Sequence, residues 1–256
     1  MRQIVRKKWI ALWGIGSVLA IGGGIVRQRL ALMPPSEATQ VREKIQVPAG
    51  MVYIAGSEFV VGSDEEDADE EVRPSRRVFV PSFAMDRTEL TNAAFQKFRP
   101  SYAFAAGDEN LPATNVLYVD AEAYAKWAGK RLPTEHEWEK AARGTDGRRY
   151  PWGSVWDSKR VTARPRKIQG RMVIPLLEKR LEGQCLPGAA RVRPVGSKPD
   201  GVSPYGCLDM AGNAWEWVQG FYNGNPEQRL LRGGAVGYGE RACRTYNRAI
   251  EGAGVT

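Results

Sequence analysis

RLPTEHEWEKAARG (131–144) and GNAWEW (212–217) are the two stretches that decide how this chain is read. In the first, Thr134 stands where a helix N-cap belongs and Glu137 falls three residues later, the spacing of a capping box. Arg131, Glu135, Glu137, Glu139 and Arg143 follow at helical spacing and predict surface and buried ion pairs. Trp138, Trp152, Trp215 and Trp217 predict large buried surfaces. With 28 glycines and 16 prolines, the chain has too many breakers for a helical bundle, so the aromatic residues must close a loop-rich mixed domain.

Working outward, Asp120 is placed as the cap of a helix over AEAYAKWAG that Gly129 ends, and Thr91 or Asn92 as the cap of a helix over AAFQKF. Residues 77–85 read as one strand. MVYIAGSEFVVGS (51–63) alternates like a hairpin turning at Gly56-Ser57. The acidic run 64–71 reads as a loop. No internal repeat is visible.

Toward the N-terminus, residues 9–26 carry no charge. At 1.5 Å per residue they reach about 27 Å, close to the thickness of a hydrocarbon core. Arg2, Arg6, Lys7 and Lys8 precede the segment, and Arg27 and Arg29 follow it. That bias predicts a cytoplasmic basic N-terminus (1–8), a transmembrane helix (9–26), a linker (27–47) and an extracytoplasmic, periplasmic domain (48–256). A cleaved signal peptide is the alternative, although its apolar stretch is usually shorter. Gly16, Ala20 and Gly24 form a small-residue stripe that either admits a partner helix or consists of tolerated small residues.

The net charge of +8 is uneven. Residues 159–193 are strongly basic and read as a solvated loop, or as a contact for anionic lipid or an acidic partner. No zinc finger, regularly spaced basic helix or RNA-binding signature is present, which argues against nucleic acid. Cys185, Cys207 and Cys243 are odd in number and form no CxxC, so a fully paired disulfide framework, a zinc ribbon and c-type haem attachment are unsupported. His136 is the single histidine, expected to face solvent, and it excludes sites that need several imidazoles from this chain.

Six blocks in order carry a resemblance: MVYIAGSEFVVGS (51–63), FAMDRTELTNAAFQKF (83–98), PATNVLYVDAEAYAKWAGKRLPTEHEWEKAARG (112–144), YPWG (150–153), PVGSKPDGVSPYGCLDMAGNAWEWV (194–218), and LRGGAV with CRTYNR (231–248). Together they resemble the formylglycine-generating-enzyme, or sulfatase-modifying-factor, family. The resemblance implies an irregular, loop-rich α+β domain similar to the C-type lectin fold.

Family oxidases bind copper through two cysteines after the RGG motif. Here Cys243 falls at the second position and Tyr238 at the first. One thiolate does not make the pair that a soft Cu(I) ion needs, so Cys243 reads as a small buried hydrophobe and copper is not expected. The histidine-rich iron branch is unsupported for the same kind of reason. Carried over by position, a structural calcium would be held by Asp209, the Gly212 and Ala214 carbonyls, and Glu216, all hard oxygen donors. The alternative is that the two carboxylates accept hydrogen bonds from loop amides. A second family calcium site, after the PWG block, lacks its expected Asn and Asp. Relatives close with a further strand that this sequence does not show, which predicts an open or partner-covered sheet edge.

The expected function is a non-catalytic, membrane-anchored accessory subunit. The alternatives are an enzyme with non-copper chemistry around Arg232, Tyr238, Cys243 and Arg244, or a calcium-supported peptide- or glycan-binding module.

Overall fold

The computed structural model describes residues 47–163, 166–168, 171–173 and 191–252. The expectations for the N-terminal helix, the stripe at Gly16, Ala20 and Gly24, most of the basic stretch and Cys185 fall outside these residues. No helix among the described residues is long and apolar enough to cross a membrane.

β1 (Met51–Ile54) does not pair with β2 (Ser57–Val61), so residues 51–63 are not a hairpin. β1 pairs antiparallel with β4 (Phe83–Asp86), Ile54 opposite Phe83. β2 pairs with β3 (Arg76–Val80), Ser57 opposite Val80. The four strands make one long hairpin whose two arms both break midway, at Ala55-Gly56 and at Pro81-Ser82. Proline has no N–H to donate, which splits the strand expected over 77–85. A Cβ on Gly56 would lie 2.9 Å from the Ser82 nitrogen, so only glycine lets the arms cross this closely.

The acidic run forms the tip of this hairpin and folds back on Arg149 and on basic residues near the C-terminus. Asp67 pairs with Arg244 at 2.6 Å, Asp69 with Arg241 at 2.6 Å and Glu65 with Arg149 at 2.9 Å. The run is therefore a charge-matched layer rather than a free loop.

Three helices follow. α1 (Asn92–Phe98) is capped by Thr91, whose hydroxyl accepts from the Ala94 N–H. α2 (Tyr118–Trp127) starts two residues before Asp120, with Leu117 at its N-cap. Asp120 is not the cap; its carboxylate pairs with Arg99 of the preceding turn. Gly129, at φ 71°, ends the helix as expected, and the Lys130 N–H reaches back to the Ala125 carbonyl.

α3 (Glu135–Arg143) carries the predicted capping box, with both reciprocal bonds between Thr134 and Glu137 present. Every residue of this helix from Glu137 to Arg143 is buried. Trp138 fills the centre of the main core with Ile54, Phe83, Met210 and Val218 around it. The other three tryptophans of the motifs are half-buried.

The helix also inserts charge into the core, and each charge is met. Glu139 accepts from the Gly62 N–H at 2.8 Å, from Arg143 at 2.9 Å and from Arg232. Lys140 sends its ammonium to the carbonyls of Ala55, Ser57 and Val80 at 2.7, 3.2 and 3.3 Å. Those carbonyls lie where the strand ladder breaks, so the lysine satisfies acceptors that no strand partner reaches. His136 is half-buried rather than solvent-facing, and burial lowers its pKa.

β7 (Glu216–Trp217), β8 (Gln228–Arg232) and β9 (Ala249–Gly252) form an antiparallel sheet in that order, with Glu216 opposite Arg232. β5 (Arg166–Ile168) and β6 (Arg171–Val173) make a short separate hairpin.

Candidate functional site

GNAWEW runs from a tightly curled loop into β7. Asp209, Gly212 and Asn213 all take left-handed backbone angles, at φ 58°, 78° and 60°. A Cβ on Gly212 would come within 2.6 Å of Val161 and 2.7 Å of the Thr162 carbonyl, so this position admits only glycine. Asp209, Gly212, Ala214 and Glu216, the four positions named for calcium, all lie on this loop and its run into β7.

A third acid joins them. Glu89, from the turn between β4 and α1, accepts from Asn213 Nδ2 at 2.6 Å and from the Ala214 N–H at 2.9 Å. Asp209 accepts from the Gly196 N–H at 2.5 Å, and Glu216 from the Trp138 indole N–H at 3.0 Å. Glu89 and Glu216 line a cavity of about 70 Å³ whose other walls include Leu90, Val116, Cys207 and Met210.

Burial raises the pKa of all three acids. For Glu89 the charges of Asp209 and Glu216 push it further up. Glu216 rises to about 8 through burial, opposed by the Trp138 N–H and aided by the charge of Asp209. Asp209 rises through burial, opposed by the Gly196 N–H. Burial and mutual repulsion therefore disfavour ionising all three carboxyls together.

Carboxylate and carbonyl oxygens are the donor type that calcium takes, but among the described residues no three His, Cys, Asp or Glu side chains come together as a group that could hold a metal ion. Asp157, after the PWG block, is paired with Arg160 and accepts from the Lys159 N–H.

The residues of the enzymatic alternative are each engaged in contacts of their own. Arg232 is fully buried and held by Glu139 and the Asn247 carbonyl. Arg244 is buried and paired with Asp67. Tyr238 packs edge-on against Trp215 with ring centroids 5.3 Å apart. Cys243 is fully buried with Val161, Ala163 and Ala211, and burial pushes its thiol up to about 12. Cys207 is displaced equally, and both are free thiols. Neither is a thiolate near neutral pH.

The sequence model described as the sulfatase-modifying factor enzyme 1-like domain matches residues 31–255. The chain belongs to this family. It is 30% identical over 241 residues to the inactive C-alpha-formylglycine-generating enzyme 2 of Mus musculus, covering 73% of this chain and 74% of that protein. It is also 31% identical over 227 residues to hercynine oxygenase of Mycolicibacterium smegmatis, covering 68% of this chain. This chain spans about half the length of that oxygenase, 48%. Among solved structures, PvdO from Pseudomonas aeruginosa aligns with a TM-score of 0.60 and 23% identity, over 80% of this chain and 88% of that one. That likeness shows the mixed α/β fold of the family.

Two residues of this family member's site escaped sequence reasoning. Glu89 sits two residues before the Thr91 N-cap of α1, and no local pattern marks it as a partner of the loop after Gly212. Asn213 looked like part of a scaffold motif, yet its side chain and backbone together contact Glu89, Arg193, Thr162 and Val236. The one available signal was an Asn directly after an obligate glycine, a position prone to left-handed backbone.

Proposed function

We propose that this chain is a non-catalytic accessory subunit, using the family scaffold to bind other proteins rather than to turn over a substrate. The observation that carries this reading is Cys243. It stands where relatives with copper chemistry place a thiolate, but it is buried, burial pushes its thiol up to about 12, and Tyr238 stands at the other cysteine position in the sequence. The chain's single histidine is half-buried on α3, which likewise leaves no imidazole cluster for an iron site. A 30%-identical relative named as inactive supports the same direction.

The uncharged segment 9–26 and its basic flanks support membrane tethering with the domain on the periplasmic side. Asp209, Glu216 and the Gly212 and Ala214 carbonyls would hold calcium, fastening the curled loop to β7. No copper, iron or haem is expected in this chain, nor nucleic acid as a partner.

Gentle detergent extraction from native membranes, native gel separation and mass spectrometry of the band test the subunit reading. A stoichiometric complex is expected. A monomer without reproducible partners would overturn it.

The acid cavity favours a second reading, a calcium-supported peptide- or glycan-binding module. Chelation should then abolish binding, and binding unchanged by chelation would remove this reading.

A further inference from the structure

A second concavity, a groove of about 650 Å³, differs from the acid cavity in charge. Its apolar surface comes from Leu111, Val161 and Val236, and its basic rim from Arg191, Arg193 and Lys198. Asp108 is the one carboxylate on its lining, so the rim is net positive. Arg191 and Arg193 are exposed and form no ion pair with any carboxylate among the described residues. This contrasts with the acidic hairpin tip, where Arg149, Arg241 and Arg244 all find acidic partners.

The groove is built on rigid parts, and one buried residue holds them. Asn213, 1% exposed, accepts from the Arg193 N–H at 2.8 Å and donates to the Arg193 carbonyl at 3.2 Å. Its backbone N–H donates to the Thr162 carbonyl at 2.8 Å, and its own carbonyl accepts from the Val236 N–H at 3.0 Å. Val195 is tied to the Asn110 carbonyl at 3.0 Å. The arginine-bearing wall, the floor and the apolar wall are therefore pinned to a common point before any ligand arrives, which lowers the ordering cost of binding. On the floor, the Thr162 hydroxyl oxygen is buried and has no hydrogen-bond partner among the described residues. A buried hydroxyl left unpaired is costly, and a ligand polar group would relieve it.

We infer that this groove takes an acidic peptide segment of a partner protein, with apolar side chains against Leu111, Val161 and Val236 and carboxylates on the arginine rim. The inference rests on the subunit reading and names the kind of partner it would serve. Complementary charge across such a surface steers the encounter and selects the partner. A single-stranded nucleic acid fits less well, because no aromatic ring lines the groove on which bases would stack.

The test uses the full chain in nanodiscs of zwitterionic phosphatidylcholine. Fluorescence anisotropy follows a labelled peptide of alternating Leu and Glu, its Leu and Gln counterpart, and an oligothymidylate. Tighter binding of the acidic peptide is expected, weakened about tenfold or more by the Gln peptide or by the double variant Arg191→Gln, Arg193→Gln, and weakened by added salt. The double variant keeps the Asn213 contacts, which are to backbone, so an unchanged melting temperature should accompany the loss. Equal binding of the two peptides, binding undiminished in the double variant, absence of binding at millimolar peptide, or preference for the oligothymidylate would each overturn the proposal. If the native complex survives in the double variant, the groove is not its contact and the subunit reading stands without it.

Discussion

Stability should fall as pH rises from about 5 to 8 when divalent cations are chelated, and calcium should restore it. The folded state holds Glu216 protonated up to about 8, whereas the unfolded chain loses that proton near 4.5. Between those values the folded state binds more protons, so the contribution is fully present below 4.5 and is lost as pH climbs through 8. At about 1.4 kcal/mol per pKa unit the displacement is worth at most about 5 kcal/mol. Relaxation and the partial exposure of the residue reduce that to about 2–4 kcal/mol. Glu89 and Asp209 shift in the same direction and steepen the fall. His136, whose pKa is lowered, acts in the opposite sense in part of the same window, so Glu216→Gln is the necessary comparison. Urea unfolding at pH 5, 6, 7 and 8, with chelator and with millimolar calcium, reads both effects. Calcium at a hundred times its dissociation constant would add about 2.7 kcal/mol, most at the high-pH end where the acids are ionised. A stability that is flat or rising from pH 5 to 8 in chelator, or the same slope in Glu216→Gln, would refute the account of the buried acids. A slope untouched by calcium would refute the metal assignment alone.

Lys140→Met should destabilise the fold by about 3 kcal/mol or more in urea titrations, because three carbonyls at the broken hairpin lose their donor. Glu139→Gln should lower stability by about 3–5 kcal/mol, since Arg143 and Arg232 remain buried with their shared charge removed. Thr134→Ala should remove about 1 kcal/mol by deleting one arm of the capping box, measured the same way. Cys207 and Cys243 should resist iodoacetamide at pH 8 in the native protein and react in urea, followed by mass spectrometry; rapid native labelling would contradict their burial.

Features that depend on neighbours a few residues away were legible in the chain alone. The Thr134–Glu137 box, the Thr91 cap and the stop at Gly129 are each decided within one helical turn, and all three stand. The helix-spaced charges around Trp138 also announced ion pairs, though not that Glu139 would meet Arg232 from a distant strand. The family motifs identified the fold.

What the tertiary structure decided are the pairings between segments far apart in sequence. Alternation at 51–63 is the same for a hairpin and for one arm of a longer, broken hairpin, and only the partners β3 and β4 separate the two. Asp120 looked like a cap because its residue type suits one, but Arg99 claims its carboxylate. Glu89 became part of the acid cavity because the loop after Gly212 curls back against it, across a span no local pattern covers. Charge type is written in each residue; whether that charge ends in water, in an ion pair or in a cavity beside another acid is set by which distant segments the core brings together, because desolvation and Coulomb energy depend on distance in space and not along the chain.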